Sequence, residues 1–377
     1  MRGFAQPYMA KGHRRIGVIL PGNNPLELFF AVRDGLPHHD YFVFAPGLSE
    51  DNKARLNALG VRHTHELGTF LMLSDSLECA LSFGLLAHDA HLQPLIAASL
   101  LREMSIPIID IQHGLFQWGI NFSDSSLQQG FSKGEGVSLP FSTEADVQLT
   151  WNGINPIGYP RMHATRPRRV GAPGSHVITI ATNTNWHIYS AEEQIRLREI
   201  LRQLFLDLPH QTFAFKPHPA ETSAKKSLLF DLVAEVSSDR KKFVNVQVLP
   251  SMSEGGQSLT DVIKNSDAGI VTAGTSIMDF ELFGIPCVAF ECRSTSKLLG
   301  ALTHVETFSN YDELLAFLCR PDRASCVPET GHLRAFDPDA LQQTIEEQCD
   351  GAQKADQQNK LKSRLEHMMI ARQLGQV

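Results

Sequence analysis

A chain of 377 residues is longer than one hydrophobic core ordinarily serves, so two domains of common size are the first expectation. Its formal net charge of -7, with 42% hydrophobic and 20% charged residues, fits a globular protein and argues against a general nucleic-acid binder, which needs a basic excess. The six cysteines (Cys79, Cys287, Cys292, Cys319, Cys326 and Cys349) form no C-x-x-C pair and read as reduced thiols rather than a metal site or a disulfide framework.

No apolar run approaches the roughly 20 residues needed to span a bilayer, and the opening "MRGFAQPYMAKGHRR" has no apolar stretch of signal-peptide length. A cytoplasmic location is expected, with peripheral association at the inner face of the membrane left open. Along the chain, "RIGVILPGNNPLELFFAVRDGL" predicts a strand over 16–20, a turn through Gly22, Asn23 and Asn24, and a helix with Pro25 at an early position. "YFVFAP", "LECALSFG", "IPIIDIQ" and "DVQLTW" are further short apolar runs, and "HLQPLIAASLLREM" between two of them has helical spacing. Buried strands alternating with helices imply an α/β domain with a mainly parallel sheet.

Residues 114–143 are rich in Gly, Ser and Gln, and a loop of that length inside a compact domain commonly acts as a lid or binding loop; a disordered insertion is the alternative. "GYPRMHATRPRRVGAPGSH", over 158–176, reads as a linker. A second alternation follows. "HVITIAT", "QTFAFKPHP", "VNVQVLP", "AGIVTAG" and "PCVAFE" read as strands, separated by the helical "SAEEQIRLREILRQLF" with Ser190 as N-cap, "AKKSLLFDLVAEV", "SLTDVIKNS" and "TSIMDFELFG". The expected division is an N-terminal Rossmann-like domain over 1–165, a second over 166–350, and a helical tail over 351–377 in which Leu361, Leu365 and Met368 recur at helical spacing. The two Rossmann-like domains are expected to face each other across a cleft.

Ligands in open α/β sheets collect at the carboxyl ends of the strands, and four unusual stretches fall at predicted strand ends. In "DIQHG", His113 can take a proton near neutral pH, and Gly114 lets the backbone turn where a ligand approaches. Asp110 shares a strand face with the residue two along and orients the imidazole if the strand end is frayed; a buried structural acid is the alternative. In "KPHP", Lys216 brings a positive charge and His218 a donor, fixed by Pro217 and Pro219, a pattern suited to a phosphate. Gly274, Thr275 and Ser276 open a helix whose N–H groups and two hydroxyls can hold an anion, although the same residues are good helix caps. Asp279 lies one turn further on, where ribose hydroxyls could meet it, whereas Glu281 reads as a solvated residue. In "ATNTNWHIYS", Asn183, Asn185 and His187 offer donors for phosphate oxygens and Trp186 a stacking face; in "PGNNP", Asn23 and Asn24 occupy the matching position for an acceptor. The chain has no G-x-x-x-x-G-K-[ST], H-E-x-x-H, G-x-S-x-G or G-x-G-x-x-G motif, which removes weight from kinase, zinc-protease, serine-hydrolase and dehydrogenase readings.

"QHG" (112–114), "KPHP" (216–219), "GTS" (274–276), the run "SIMDFELFGIPCV" and "IGYPRMH" together resemble the GT-B glycosyltransferase superfamily. Within it the chain is most similar to bacterial surface-polysaccharide enzymes that use cytidine nucleotides: sialyl-, polysialyl- and Kdo-type transferases and CDP-glycerol glycerophosphotransferases. The resemblance implies His113 as general base, His218 on the nucleotide phosphate, Thr275 and Ser276 holding that phosphate, and Asp279 on the ribose. His113 stands where sialyltransferases of this kind carry an acid, which favours the glycerophosphotransferase-like arrangement. The implied activity is metal-independent transfer, without a cofactor, from a CMP- or CDP-activated donor to a hydroxyl of a capsular or lipopolysaccharide-type carbohydrate or glycolipid. A nucleotide-sugar 2-epimerase of the same fold and a non-catalytic nucleotide-binding subunit of a polysaccharide assembly complex are the alternatives.

Overall fold

The computed structural model describes residues 12–22, 25–83, 92–114, 116–117, 120–121, 145–152, 155–162, 177–182, 189–217, 228–250, 256–300, 302 and 304–352. The chain divides into two compact units: Met1–His113 with Ser138–Arg161 and Ala335–Val377, and Gly114–Val137 with Met162–Arg334.

The described chain begins with β1 (Arg15–Ile19), α1 (Leu26–Gly35), β2 (Asp40–Phe44), α2 (Glu50–Ala58), β3 (Arg62–Thr64), α3 (Leu67–Leu73), β4 (Cys79–Phe83), α4 (Leu92–Glu103) and β5 (Ile108–Ile111). A short antiparallel pair, β6 (Phe116–Gln117) and β7 (Ile120–Asn121), precedes β8 (Val147–Leu149). The first unit's sheet is parallel throughout, in the order β3-β2-β1-β4-β5-β8. Its central strands are buried along their length, which is why they read as unbroken apolar runs rather than alternating ones. Apart from Gly114 and the β6–β7 pair, most of the loop expected over 114–143 lies outside the described residues.

The second unit runs β9 (Val177–Ala181), α5 (Ala191–Asp207), β10 (Thr212–Lys216), α6 (Leu228–Ser238), β11 (Val246–Val248), α7 (Leu259–Lys264), β12 (Ala268–Val271), α8 (Ser276–Phe283), β13 (Cys287–Phe290), α9 (Ser296–Gly300), β14 (Glu306–Phe308) and α10 (Tyr311–Cys319). It repeats the same order, β11-β10-β9-β12-β13-β14, again all parallel. Ser190 caps α5 as expected, in a reciprocal box: its hydroxyl accepts from Glu193 N, and Glu193 Oε2 accepts from Ser190 N. Helices α5 and α6 close one face of this sheet over a core that includes Phe205, Phe213, Phe215 and Phe243.

The last described helix, α11 (Pro338–Ala352), corrects the domain boundary read from sequence. The chain from Ala335 onward groups with the first unit. Asp337 N donates to Ile157 O at 2.8 Å, Phe336 lies against Gly35, Gln342 Oε1 meets His39 Nε2 at 2.8 Å, and Asp350 pairs with Arg14 at 3.0 Å. Leu341, Ile345 and Cys349 supply the buried stripe. Polarity on the remaining faces of α11 hid this from a linear reading, because long-range packing, not local composition, assigns the helix. Leu361, Leu365 and Met368 lie outside the described residues.

The contact with α11 also creates an acid-sensitive joint. His39 is buried, and its Nδ1 accepts from Arg14 N at 3.2 Å, so the ring proton sits on Nε2 and is donated to Gln342. Burial, reinforced by the positive charge nearby on His38, His13 and Arg14, pushes its pKa down to about 4. An unfolded histidine titrates near 6.5, so below that pH the unfolded chain takes up a proton that the folded one refuses. The contribution is complete above pH 6.5 and is lost as the pH falls from there towards 4. Urea unfolding at pH 7 and pH 5 should therefore show a loss of about 2 kcal/mol that His39→Gln largely removes. An equal acid loss in the variant would exonerate this histidine.

Candidate functional site

In each sheet the strand order reverses beside the first strand, between β1 and β4 and between β9 and β12. Loops leaving neighbouring strands on opposite sides of such a point open a crevice at the carboxyl edge, where open α/β sheets take ligands. In the second unit the residues that follow β12 at this point are Thr272, Ala273, Gly274, Thr275 and Ser276.

Tyr189 fixes the path of this segment. Its buried phenol accepts from Ala273 N at 2.9 Å, and its ring stacks on Phe290 with centroids 6.3 Å apart. Thr272 N reaches Ala181 O of β9 at 3.4 Å, tying the two sides of the reversal together. Helix α8 then begins, with Gly274 O accepting from Ile277 N and Thr275 O from Met278 N. Thr275 has helical backbone angles (φ −62°, ψ −23°), and its side chain makes no capping hydrogen bond to α8. The helix start brings N–H dipoles and the half-buried Thr275 and Ser276 to the carboxyl edge of the sheet.

Two glycines set the seat of α8. A Cβ on Gly269 of β12 would lie 2.3 Å from the ring of Phe280, so only glycine admits this close approach of helix to strand. Gly284 ends the helix in the left-handed conformation, φ 64°, and Ile285 N returns to Phe280 O at 3.0 Å. Asp279, in the first turn of α8, is buried.

Glu281 requires a correction, since the sequence reading left it in solvent. It is buried, and its Oε2 accepts from Thr330 N at 3.0 Å and Thr330 Oγ1 at 2.6 Å. The carboxylate anchors the segment that leads to the chain's return to the first unit. Its partner lies 49 positions away, so no local pattern signalled it.

Lys216 is at the carboxyl end of β10, as expected, but much of its donor capacity is directed at backbone. Nζ donates to the carbonyls of Pro250 and Gln257, the latter at 2.9 Å, and the side chain is buried. An ammonium has three protons, and two of them join the ends of the 250–257 segment. The ammonium acts first as a positioning group for these two carbonyls. His218, Asn183, Asn185, Trp186, His187, Asn23 and Asn24 lie outside the described residues; their flanking anchors Pro217, Thr182, Tyr189 and Pro25 are described.

In the first unit, Asp110 on β5 accepts from Ser82 Oγ of the neighbouring strand β4 at 2.7 Å, in register with it. The strand end is not frayed: Gln112 N continues the ladder to Leu149 O at 2.9 Å. One carboxylate oxygen of Asp110 is thus engaged with the neighbouring strand. Gln112 has a role that sequence reading missed. Its buried Oε1 accepts from Trp151 N at 2.9 Å, and Trp151 packs edge-on against Tyr159 at 4.7 Å. Next to this anchored Gln112, His113 is half-buried just past the carboxyl end of β5, with Nδ1 withdrawn from solvent.

No protein-family model matches the chain, and no curated protein matches it. Solved structures do. The HepE protein of Anabaena in complex with UDP-glucose aligns with a TM-score of 0.55 at 13% identity, covering 90% of this chain and 100% of that one. The UDP-GlcNAc 2-epimerase of Neisseria meningitidis bound to UDP-GlcNAc aligns with a TM-score of 0.53 at 12% identity over 90% and 100% of the two chains. A glycosyltransferase from Rickettsia africae gives 0.51 at 11% over 92% and 100%. Among the described residues no helix is long and apolar enough to cross a membrane. What the chain shares with these proteins at such identities is architecture: it is an α/β protein of the GT-B fold, with two parallel Rossmann-like sheets.

Proposed function

We propose that the protein is a GT-B transferase that moves a group from a nucleotide-activated donor, with cytidine nucleotides favoured, to a hydroxyl of a surface carbohydrate or glycolipid. The observation that carries this reading is the Gly274–Thr275–Ser276 start of α8 at the strand-order reversal, at the carboxyl edge of the sheet. HepE and the Neisseria epimerase, which share the fold, hold UDP-glucose and UDP-GlcNAc, and this supports a nucleotide-sugar ligand. The preference for cytidine comes from the "QHG", "KPHP" and "GTS" motifs.

In this reading the helix start, Thr275, Ser276 and His218 receive the donor phosphates, assisted by Asn183 and Asn185, and Lys216 holds the 250–257 loop while adding positive charge. Asp279 meets the ribose. Asn23 and Asn24 contact the acceptor, whose hydroxyl gives its proton to His113 as it attacks the donor. The negative charge that grows on the departing nucleotide is stabilised by N–H dipoles already in place, so the gain is larger in the transition state than in the bound ground state.

Thermal unfolding with CMP, CDP, UDP and GDP tests the donor assignment. A ligand at a hundredfold excess over its Kd stabilises by about 2.7 kcal/mol. CMP or CDP is expected to give the largest shift, and Thr275→Val with Ser276→Ala should reduce it. A shift with UDP alone would overturn the cytidine preference; no shift with any nucleotide would overturn the donor site itself. The fold shared with the Neisseria 2-epimerase supports a second reading, in which UDP-GlcNAc is inverted at C2 without an acceptor. Product analysis of UDP-GlcNAc incubated with the protein alone separates the two reactions.

A further inference from the structure

A cavity of about 630 Å³ lies wholly within the second unit, at the carboxyl ends of β13 and β14. Its walls include Arg196 from α5, Glu291 and Arg293 from the segment after β13, and Thr307, Ser309 and Glu313 around the entry to α10. It shares no residue with the Gly274–Ser276 cradle, which follows β12.

The walls are braced. Glu193 Oε1 accepts from Ser294 N at 3.1 Å and Glu193 Oε2 from Ser294 Oγ at 2.7 Å, fastening the segment after β13 to α5. Burial opposes ionisation of Glu193, but its hydrogen bonds to Ser294 and Ser190 prevail and hold its pKa below the ordinary carboxylate value. Thr295 Oγ1 accepts from Cys292 N at 3.1 Å and closes the same turn. On the opposite wall, Glu313 Oε2 accepts from Ser309 N at 2.6 Å and Ser309 Oγ at 3.0 Å. The turn-forming polar groups are thus committed to one another, and the pocket is formed before any ligand arrives.

Three charged side chains stand apart from this bracing. Arg196 and Arg293 are exposed and Glu291 is half-buried, and none of the three side chains has an ion-pair or hydrogen-bond partner among the described residues. The Arg196 guanidinium lies over the face of Phe290, 5.7 Å from its centroid, which orients it while its N–H groups stay available. Two uncommitted guanidinium groups can bind an anion in bidentate fashion, and one uncommitted carboxylate accepts from hydroxyls. The volume is that of a small-molecule site.

We propose that this cavity is an accessory carbohydrate site for an acidic saccharide, a sugar whose phosphate or carboxylate engages Arg196 and Arg293 while its hydroxyls donate to Glu291. The proposal does not rest on the transferase reading, because no residue of the catalytic assignment lines the cavity.

Titration calorimetry at low salt with glucose 6-phosphate, glucuronate, glucose and inorganic phosphate tests it on the full chain. Glucose 6-phosphate or glucuronate should bind, and comparing them tells phosphate from carboxylate recognition. Arg196→Gln with Arg293→Gln should weaken that binding by about tenfold or more, and raising the salt should weaken it in the wild type. Glu291→Gln should cost affinity for the acidic sugar but not for inorganic phosphate. Neutral glucose should bind far more weakly. The nucleotide thermal shift should be the same in all the variants, which separates failure here from failure of the donor assignment and reports that the fold is intact. The proposal is overturned if neither acidic sugar binds, if binding survives the double arginine variant, or if inorganic phosphate binds as tightly as glucose 6-phosphate.

Discussion

His113→Ala is expected to lower kcat by about 10² to 10⁴-fold, the usual worth of a positioned general base, while leaving the nucleotide thermal shift unchanged. The expectation rests on the location of the ring: it is half-buried just past the carboxyl end of β5, on a strand end secured by the Gln112 N to Leu149 O and Trp151 N to Gln112 Oε1 hydrogen bonds. Removing an imidazole beyond the last ladder bond leaves those bonds in place, so the loss should appear in turnover and not in folding. His113→Gln is the stricter variant, since it keeps a hydrogen-bonding side chain and removes the base; it should be nearly as slow as alanine. The measurement is transfer from the donor that the thermal-shift panel identifies. Unchanged turnover in both variants would make His113 a structural residue and remove the proposed mechanism.

Gly158→Ala is expected to produce the largest loss of stability, about 3–5 kcal/mol. Gly158 has a φ of +73°, and a Cβ built on it would lie 2.0 Å from the carbonyl oxygen of Ala335. That oxygen belongs to backbone, so no side-chain rotation relieves the clash. The adjacent Asp337 N to Ile157 O bond and the contact of Phe336 with Gly35 would have to shift with it. Gly47→Ala separates backbone strain from steric collision: Gly47 also has positive φ, +81°, but an added Cβ meets nothing within 4 Å. It should cost about 1–2 kcal/mol. Urea denaturation midpoints of the two variants give the comparison, and similar losses for both would show that the approach to Ala335 is not close.

Much of the fold was legible because buried parallel strands leave a simple trace. Each of the runs around 16–20, 40–45, 79–83, 108–112, 177–182, 212–216, 268–271 and 287–291 is mostly apolar and buried, and each contains a strand. The elements that escaped notice lack that trace. β3, Arg-His-Thr, lies at a sheet edge with no buried side chain, and α2 buries only Asn52 and Leu56. The candidate site was legible in part for the same reason. Strand ends can be located from sequence, and Gly274, Thr275 and Ser276 fall where a helix start must be.

What the sequence by itself determined is the alternation of elements, and therefore two Rossmann-like sheets, together with the residues at their carboxyl edges. These depend on local periodicity and on propensities that act over a few residues. Tertiary structure alone decided what the polar side chains at those edges do. Lys216 holds two carbonyls of a distant loop, Glu281 anchors Thr330, and Asp110 answers Ser82. A buried charge or hydroxyl must find a hydrogen-bonding partner wherever the fold supplies one. That partner comes from chain 28 to 49 residues away in these cases, and its identity exists only once the sheet and its crossovers have formed.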